Sequence, residues 1–181
     1  MVNSIESDLE QVFKTCQLLD FKWIDPQAIS VRQWVRFKCT WGCRNYGARA
    51  TCPPNVPSTK DCRAFFKEYK RAVLFHFRDA KTTREERYAW TGEINRRLLE
   101  LERAVFLRGY YKAFVLYVDT CRICEECTTT RDACKQKMAS RPAPDALGVD
   151  VYQIARNAGY TIEVLTDPTQ AMDRFGFLLL D

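Results

Sequence analysis

Apolar residues Ile5, Leu9, Val12, Cys16 and Leu19 recur three and four positions apart, which predicts an amphipathic helix within residues 1–20. A longer stripe of Ile94, Leu98, Leu101 and Val105 predicts a helix over 84–107, with Glu93 and Arg97 paired one turn apart and Gly109 ending it. Ser58 and Asp61 mark a third helix start, whose apolar side is Phe65, Phe66 and Tyr69. Short apolar runs at 72–77, 113–118, 160–165 and 176–180 read as strands, and Asp145 and Gly159 bracket a helix over 145–158. Residues 24–30 read as extended, and 31–38 fits helix or strand alike. The prolines and glycines of 40–57 predict a long ordered loop.

Strand, long helix, strand, helix, strand is the alternation that builds right-handed crossovers. The expected fold class is therefore α/β, a mainly parallel sheet of about four to five strands flanked by helices, with cysteine-rich metal-binding loops. A chain of 181 residues suits one domain over 1–181. Within it lie the N-terminal helix (1–20), a first cysteine loop (39–57) and a second (119–144).

Charge narrows the partners. A net +5 from 28 basic and 23 acidic residues is a mild excess, and the basic residues are interspersed with acids, as in Arg84-Glu85-Glu86-Arg87. No nucleic-acid partner is expected from so diffuse a pattern, whereas a small anionic substrate or a redox partner protein fits it. No apolar run approaches the roughly 20 residues that cross a bilayer, so no membrane partner is expected. Acidic residues among the first ten, without a basic start and apolar core, predict a cytoplasmic protein. In that reducing compartment nine cysteines read as ligands or reactive thiols rather than disulfides.

Seven of the nine cysteines form two groups: Cys39, Cys43 and Cys52, then Cys121, Cys124, Cys127 and Cys134. Three thiolates separated by two residues, with a fourth soon after, suit a 4Fe–4S cubane, because a short loop can wrap its sulfurs round successive irons. Zinc, the alternative, usually draws its four ligands from two separated pairs. The first group is one ligand short. It fits a zinc site completed by another residue, free structural thiols, or a second cluster with one iron open to a substrate, sulfide or water. Arg44, Asn45, Tyr46 and Arg49 lie between its cysteines, where they can orient an anion, tune a cluster or simply pair with the loop backbone. Cys62, in the first turn of its helix, is a fourth ligand, a reactive thiol or a packing residue, and the last is favoured. Cys16, on an apolar stripe, and His76, the only histidine, inside a strand, also read as packing residues.

The motifs Lys38-Cys39, Gly42-Cys43, Asn45-Tyr46-Gly47, Cys52-Pro53-Pro54 and Gly109-Tyr110-Tyr111-Lys112-Ala113, with Cys121-Arg122-Ile123-Cys124-Glu125-Glu126-Cys127 and Leu147-Gly148-Val149-Asp150-Val151, carry a resemblance. Together they resemble the predicted metal-binding proteins of the domain of unknown function number 2284. That resemblance implies cysteine-bound metal, iron–sulfur foremost, and brings no established reaction. The chain departs from the family pattern at Asp119-Thr120, where Gly-Pro is expected, and at Ala143-Pro144-Asp145, where Ser-Met-Glu is expected.

Three functions follow from these residues. The leading one is a redox protein binding one or two 4Fe–4S clusters that transfers electrons between two centres. An enzyme, an iron–sulfur oxidoreductase or a component of one, would use an open iron at the first group for sulfur transfer, desulfuration or reductive cleavage. A structural zinc module mediating partner contacts is the third. No phosphate loop, dinucleotide fingerprint or paired-histidine protease motif is present in the sequence.

Overall fold

The computed structural model describes residues 2–79, 83–167 and 170–181, with side chains from residue 6 onward, so Met1 and the Ile5 side chain lie outside the described residues. Helix α1 (Val2–Thr15) stops short of its predicted end. Gln17 takes a left-handed φ of 57°, and the amides of Gln17 and Leu18 bond back to the carbonyls of Lys14 (2.9 Å) and Phe13 (2.8 Å). This is the Schellman arrangement that closes a helix. It turns Leu18 into the core and leaves Leu19 71% exposed, off the stripe to which its spacing assigned it.

Strand β1 (Phe21–Ile24) follows, a strand that the sequence reading missed. After a short 3-10 turn at Pro26–Ala28 come α2 (Gln33–Gly42) and α3 (Thr59–Phe66), the latter capped by Ser58. Strand β2 (Arg71–Asp79) leads to α4 (Arg84–Phe106), whose start is fixed by a capping box between Thr83 and Glu86. Strand β3 (Phe114–Leu116), α5 (Val151–Asn157) and β4 (Met172–Leu180) complete the elements.

The expected mainly parallel sheet is contradicted. Its four strands are ordered β1-β2-β4-β3 and every neighbouring pair is antiparallel. The reason is the place of the last strand. β2, α4 and β3 form the anticipated crossover, and β2 and β3 do run in one direction, but β4 inserts antiparallel between them. Residues 160–165 are not a strand: Ile162 is buried and Tyr160 packs against the core, but Val164 is 74% exposed. The helix expected over 145–158 is also broken, into a 3-10 turn at Asp145–Leu147, a bend at Gly148 (φ 85°) and α5, which Asp150 caps by accepting a bond from the Gln153 amide.

Strand alternation sends successive side chains to opposite faces. Val73, Phe75, Val115, Tyr117, Leu178 and Leu180 pack with α1 and α4. Ala72, Leu74, Leu116, Phe175, Phe177 and Leu179 pack with α3, α5 and the segment around Val149. Gly176 lies where α4 crosses β4, and a Cβ there would meet Leu98 Cδ1 at 2.8 Å. Among the described residues no helix is long and apolar enough to cross a membrane.

Candidate metal centre

The two cysteine groups adjoin, and Cys121 packs against the α1 and α4 side of the core. Asn95 of α4, fully buried, accepts a bond from the Val118 amide (3.2 Å) and donates to the Thr120 carbonyl (3.4 Å). It thereby fixes the chain immediately before Cys121. The far end of the same loop is held where the Tyr117 amide donates to the Pro142 carbonyl at 3.0 Å. Glu102 of α4 accepts from the Val115 amide (2.7 Å) and from Arg141 Nε (3.0 Å) in a largely buried ion pair.

The first loop begins inside a helix rather than after one. Cys39 belongs to α2, Cys43 is its exposed C-terminal cap, and Cys52 is buried in the turn that follows. These three thiols line one small pocket of about 30 Å³, together with Asp145, Thr120 and Tyr46. The Cys39 thiol points at the Asp145 carbonyl, 3.9 Å away. Burial pushes Cys39 up to about 11 and Cys52 up to about 12, and the Asp145 charge and the neighbouring thiols add to both rises. Asn45 also lines the pocket, whereas Arg44 is exposed.

In the second group Cys121 interacts electrostatically with Cys124 and Cys127. Burial raises the Cys121 pKa, partly offset by the backbone amides of Ile123 and Arg141 that bond to its sulfur. Cys127 ends below the usual thiol value: burial would raise it, but the amides of Ala50 and Thr129 and the Arg49 guanidinium outweigh that effect. Cys134 is placed through Ser140, whose Oγ lies 3.7 Å from its sulfur.

The two groups adjoin. Ala50, two residues before Cys52, donates its amide to Cys127 Sγ at 3.4 Å, and Asn55 Nδ2 donates to the Thr129 carbonyl at 2.7 Å. Thr120, next to Cys121, lines the pocket of the first group.

Three further residues named by the sequence stand elsewhere. Cys62 is buried in the core with its thiol toward the Pro57 carbonyl (3.7 Å). Cys16 packs against the core on the α1 side. His76 is held between Asp20 (2.6 Å) and Asp173 (2.8 Å) and stacks on Phe175.

Asp145 is the residue whose role the sequence reading missed. Its expected task was to cap a helix, and Asp150 performs that task instead. Nearby protein and the Asp119 carboxylate push its pKa up, against the opposing pull of the Asp145 and Ala146 amides and the Arg174 charge, and the residue is exposed to the cavities that it lines. One of these is a cleft of about 1150 Å³ between α2 and α5, which opens onto Cys39 and Cys43 and carries Trp34, Lys38, Tyr152 and Arg156 on its walls.

Among the described residues, no three His, Cys, Asp or Glu side chains are drawn up as the coordination shell of a single ion. The donor chemistry nevertheless fits thiolate-bound metal. Three thiols share a pocket in which the buried Thr120 Oγ1 has no hydrogen-bond partner. The enclosed space matches one water-sized group, about 30 Å³, and the exposed Cys43 on its rim leaves the outer side open to anything larger. In the second group, backbone amides directed at sulfur are the kind of outer contact that tunes thiolate-bound metal.

The profile of a family described as predicted metal-binding protein, DUF2284, matches residues 22–180. No curated protein and no solved structure matches the chain.

Proposed function

The chain belongs to the DUF2284 family of predicted metal-binding proteins, and on that premise we propose that its two cysteine groups hold adjacent 4Fe–4S clusters that exchange electrons. The contact between Ala50 and Cys127 carries this reading, because it joins the loop of one group to a sulfur of the other. When bound, such clusters supply one-electron transfer. The chain's own contribution is to fix the thiols. Asn95 and Glu102 hold the base of the second loop, and amides of Ala50, Thr129, Ile123 and Arg141 favour the thiolate form of Cys127 and Cys121. A redox partner protein would meet the first group at the exposed Cys43.

Electron paramagnetic resonance of the fully reduced protein tests this. Two neighbouring paramagnets broaden and split one another, so wild-type protein should show an interaction signal that Cys124→Ala reduces to a single unsplit one. A wild-type spectrum equal to the sum of two isolated centres would count against the proposal.

A second reading, an enzyme using an open position at the first group, is favoured by the cleft that reaches Cys39 and Cys43. Its walls are mainly apolar, with Lys38 and Arg156 set against Asp145 and Asp150, which suits a small organic molecule with a few polar groups. Addition of a small thiolate should then perturb the spectrum of the first centre and leave that of the second unchanged.

A further inference from the structure

The first group has three thiols, and the residues around it offer few candidates for a fourth ligand. Cys62 is turned toward Pro57 in the core, and His76 is engaged by Asp20 and Asp173. Asp145 lines the same pocket as Cys39, Cys43 and Cys52, and its carbonyl lies 3.9 Å from the Cys39 sulfur. Its carboxylate does not cap α5, which Asp150 caps; it accepts from the amides of Asp145 and Ala146 at the start of the 3-10 turn, which leaves lone pairs for a further partner. Nor does it hold an ion pair: Arg174, the nearby cation, pairs with Asp119 at 3.8 Å. An exposed carboxylate that lines one pocket with three thiols adds a hard oxygen donor to their soft sulfurs.

We infer that Asp145 supplies an oxygen ligand that completes the metal site of Cys39, Cys43 and Cys52. The inference rests on the reading of that group as a metal site and deepens it. The result is a mixed site, three sulfurs and one oxygen. Because Asp145 lines both the thiol pocket and the large cleft, its oxygen occupies the coordination position that a molecule in the cleft would reach. An oxygen ligand on a metal otherwise held by sulfur is the one a soft donor most readily replaces.

The test measures how fast a chelator strips metal from the loaded full-length protein, with three variants beside wild type. Asp145→Asn should speed loss of first-site metal by at least about tenfold, while leaving the melting temperature of the metal-free protein unchanged. Asp145→Cys should restore slow loss and add thiolate-to-metal absorbance, which a merely structural role for Asp145 would not produce. If Cys39→Ser speeds loss and Asp145→Asn behaves as wild type, the inference is overturned and the three-thiol site stands. If Cys39→Ser changes nothing, the site itself fails and the inference with it.

Discussion

The Ala50 amide donates to Cys127 Sγ across 3.4 Å, tying the first cysteine loop to the second. With Thr129 and Arg49 it brings the Cys127 pKa below the ordinary thiol value, whereas burial drives Cys39 up to about 11 and Cys52 up to about 12. A thiol with a lower pKa is thiolate at lower pH, and the thiolate is the form that reacts. In metal-free protein Cys127 should therefore alkylate at lower pH than Cys39 or Cys52, and Arg49→Ala should move its profile to higher pH. Mass spectrometry of iodoacetamide adducts from pH 6 to 10, a span chosen to bracket the usual thiol range of about 8.5, reads this directly. Earlier labelling of Cys39 or Cys52 would contradict it.

The same shifts set the pH dependence of metal loading. Ligation requires thiolates, so each protonated thiol must release its proton to the solvent. Both Cys39 and Cys52 hold their protons more tightly than ordinary thiols. Apparent affinity at the first group should rise steadily with pH through the neutral range and continue to rise above pH 9. A competition titration with a chelator of known pH dependence measures it, and an affinity that levels off below pH 8 would be inconsistent with these thiols as ligands.

Glu102 joins the core to the second loop by accepting from the Val115 amide and from Arg141, whose own amide bonds Cys121. Glu102→Ala would leave a buried guanidinium and a buried amide without their partner. The expected cost is about 3–5 kcal/mol by urea denaturation, with weaker retention of second-group metal. Unchanged metal retention alongside that loss of stability would show that the loop is held without Glu102.

Gly176 allows β4 to pass beneath α4. An added Cβ would meet Leu98 Cδ1 at 2.8 Å and the Leu116 carbonyl at 3.2 Å. Gly176→Ala should cost about 1–3 kcal/mol. Leu98→Ala in the same chain should recover part of it, because the two side chains compete for one space. Strictly additive losses would place the strain elsewhere.

Much of this frame is legible in the sequence. The stripe of Ile94, Leu98, Leu101 and Val105 gives α4, since a long apolar face must be buried, and the cysteine spacing separates the thiols into two groups, although Cys39 belongs to α2 rather than to a loop. The antiparallel sheet is hidden because the direction of neighbours depends on β4, the last element to enter the sheet. The early end of α1 depends on Gln17 adopting a left-handed φ, which glycine usually supplies. Asp145 looks like a helix cap until Gly148 bends the chain and passes the cap to Asp150. Its nearness to Cys39 arises from packing between segments about a hundred residues apart, beyond the reach of local pattern.

Anaerobic quantification of iron, acid-labile sulfide and zinc in wild type, Cys43→Ala and Cys124→Ala tests the central claim most directly. Two clusters predict iron and sulfide in equal amounts, with each variant losing about half of both and keeping the rest. Stoichiometric zinc without sulfide, or iron content that neither substitution lowers, would contradict it.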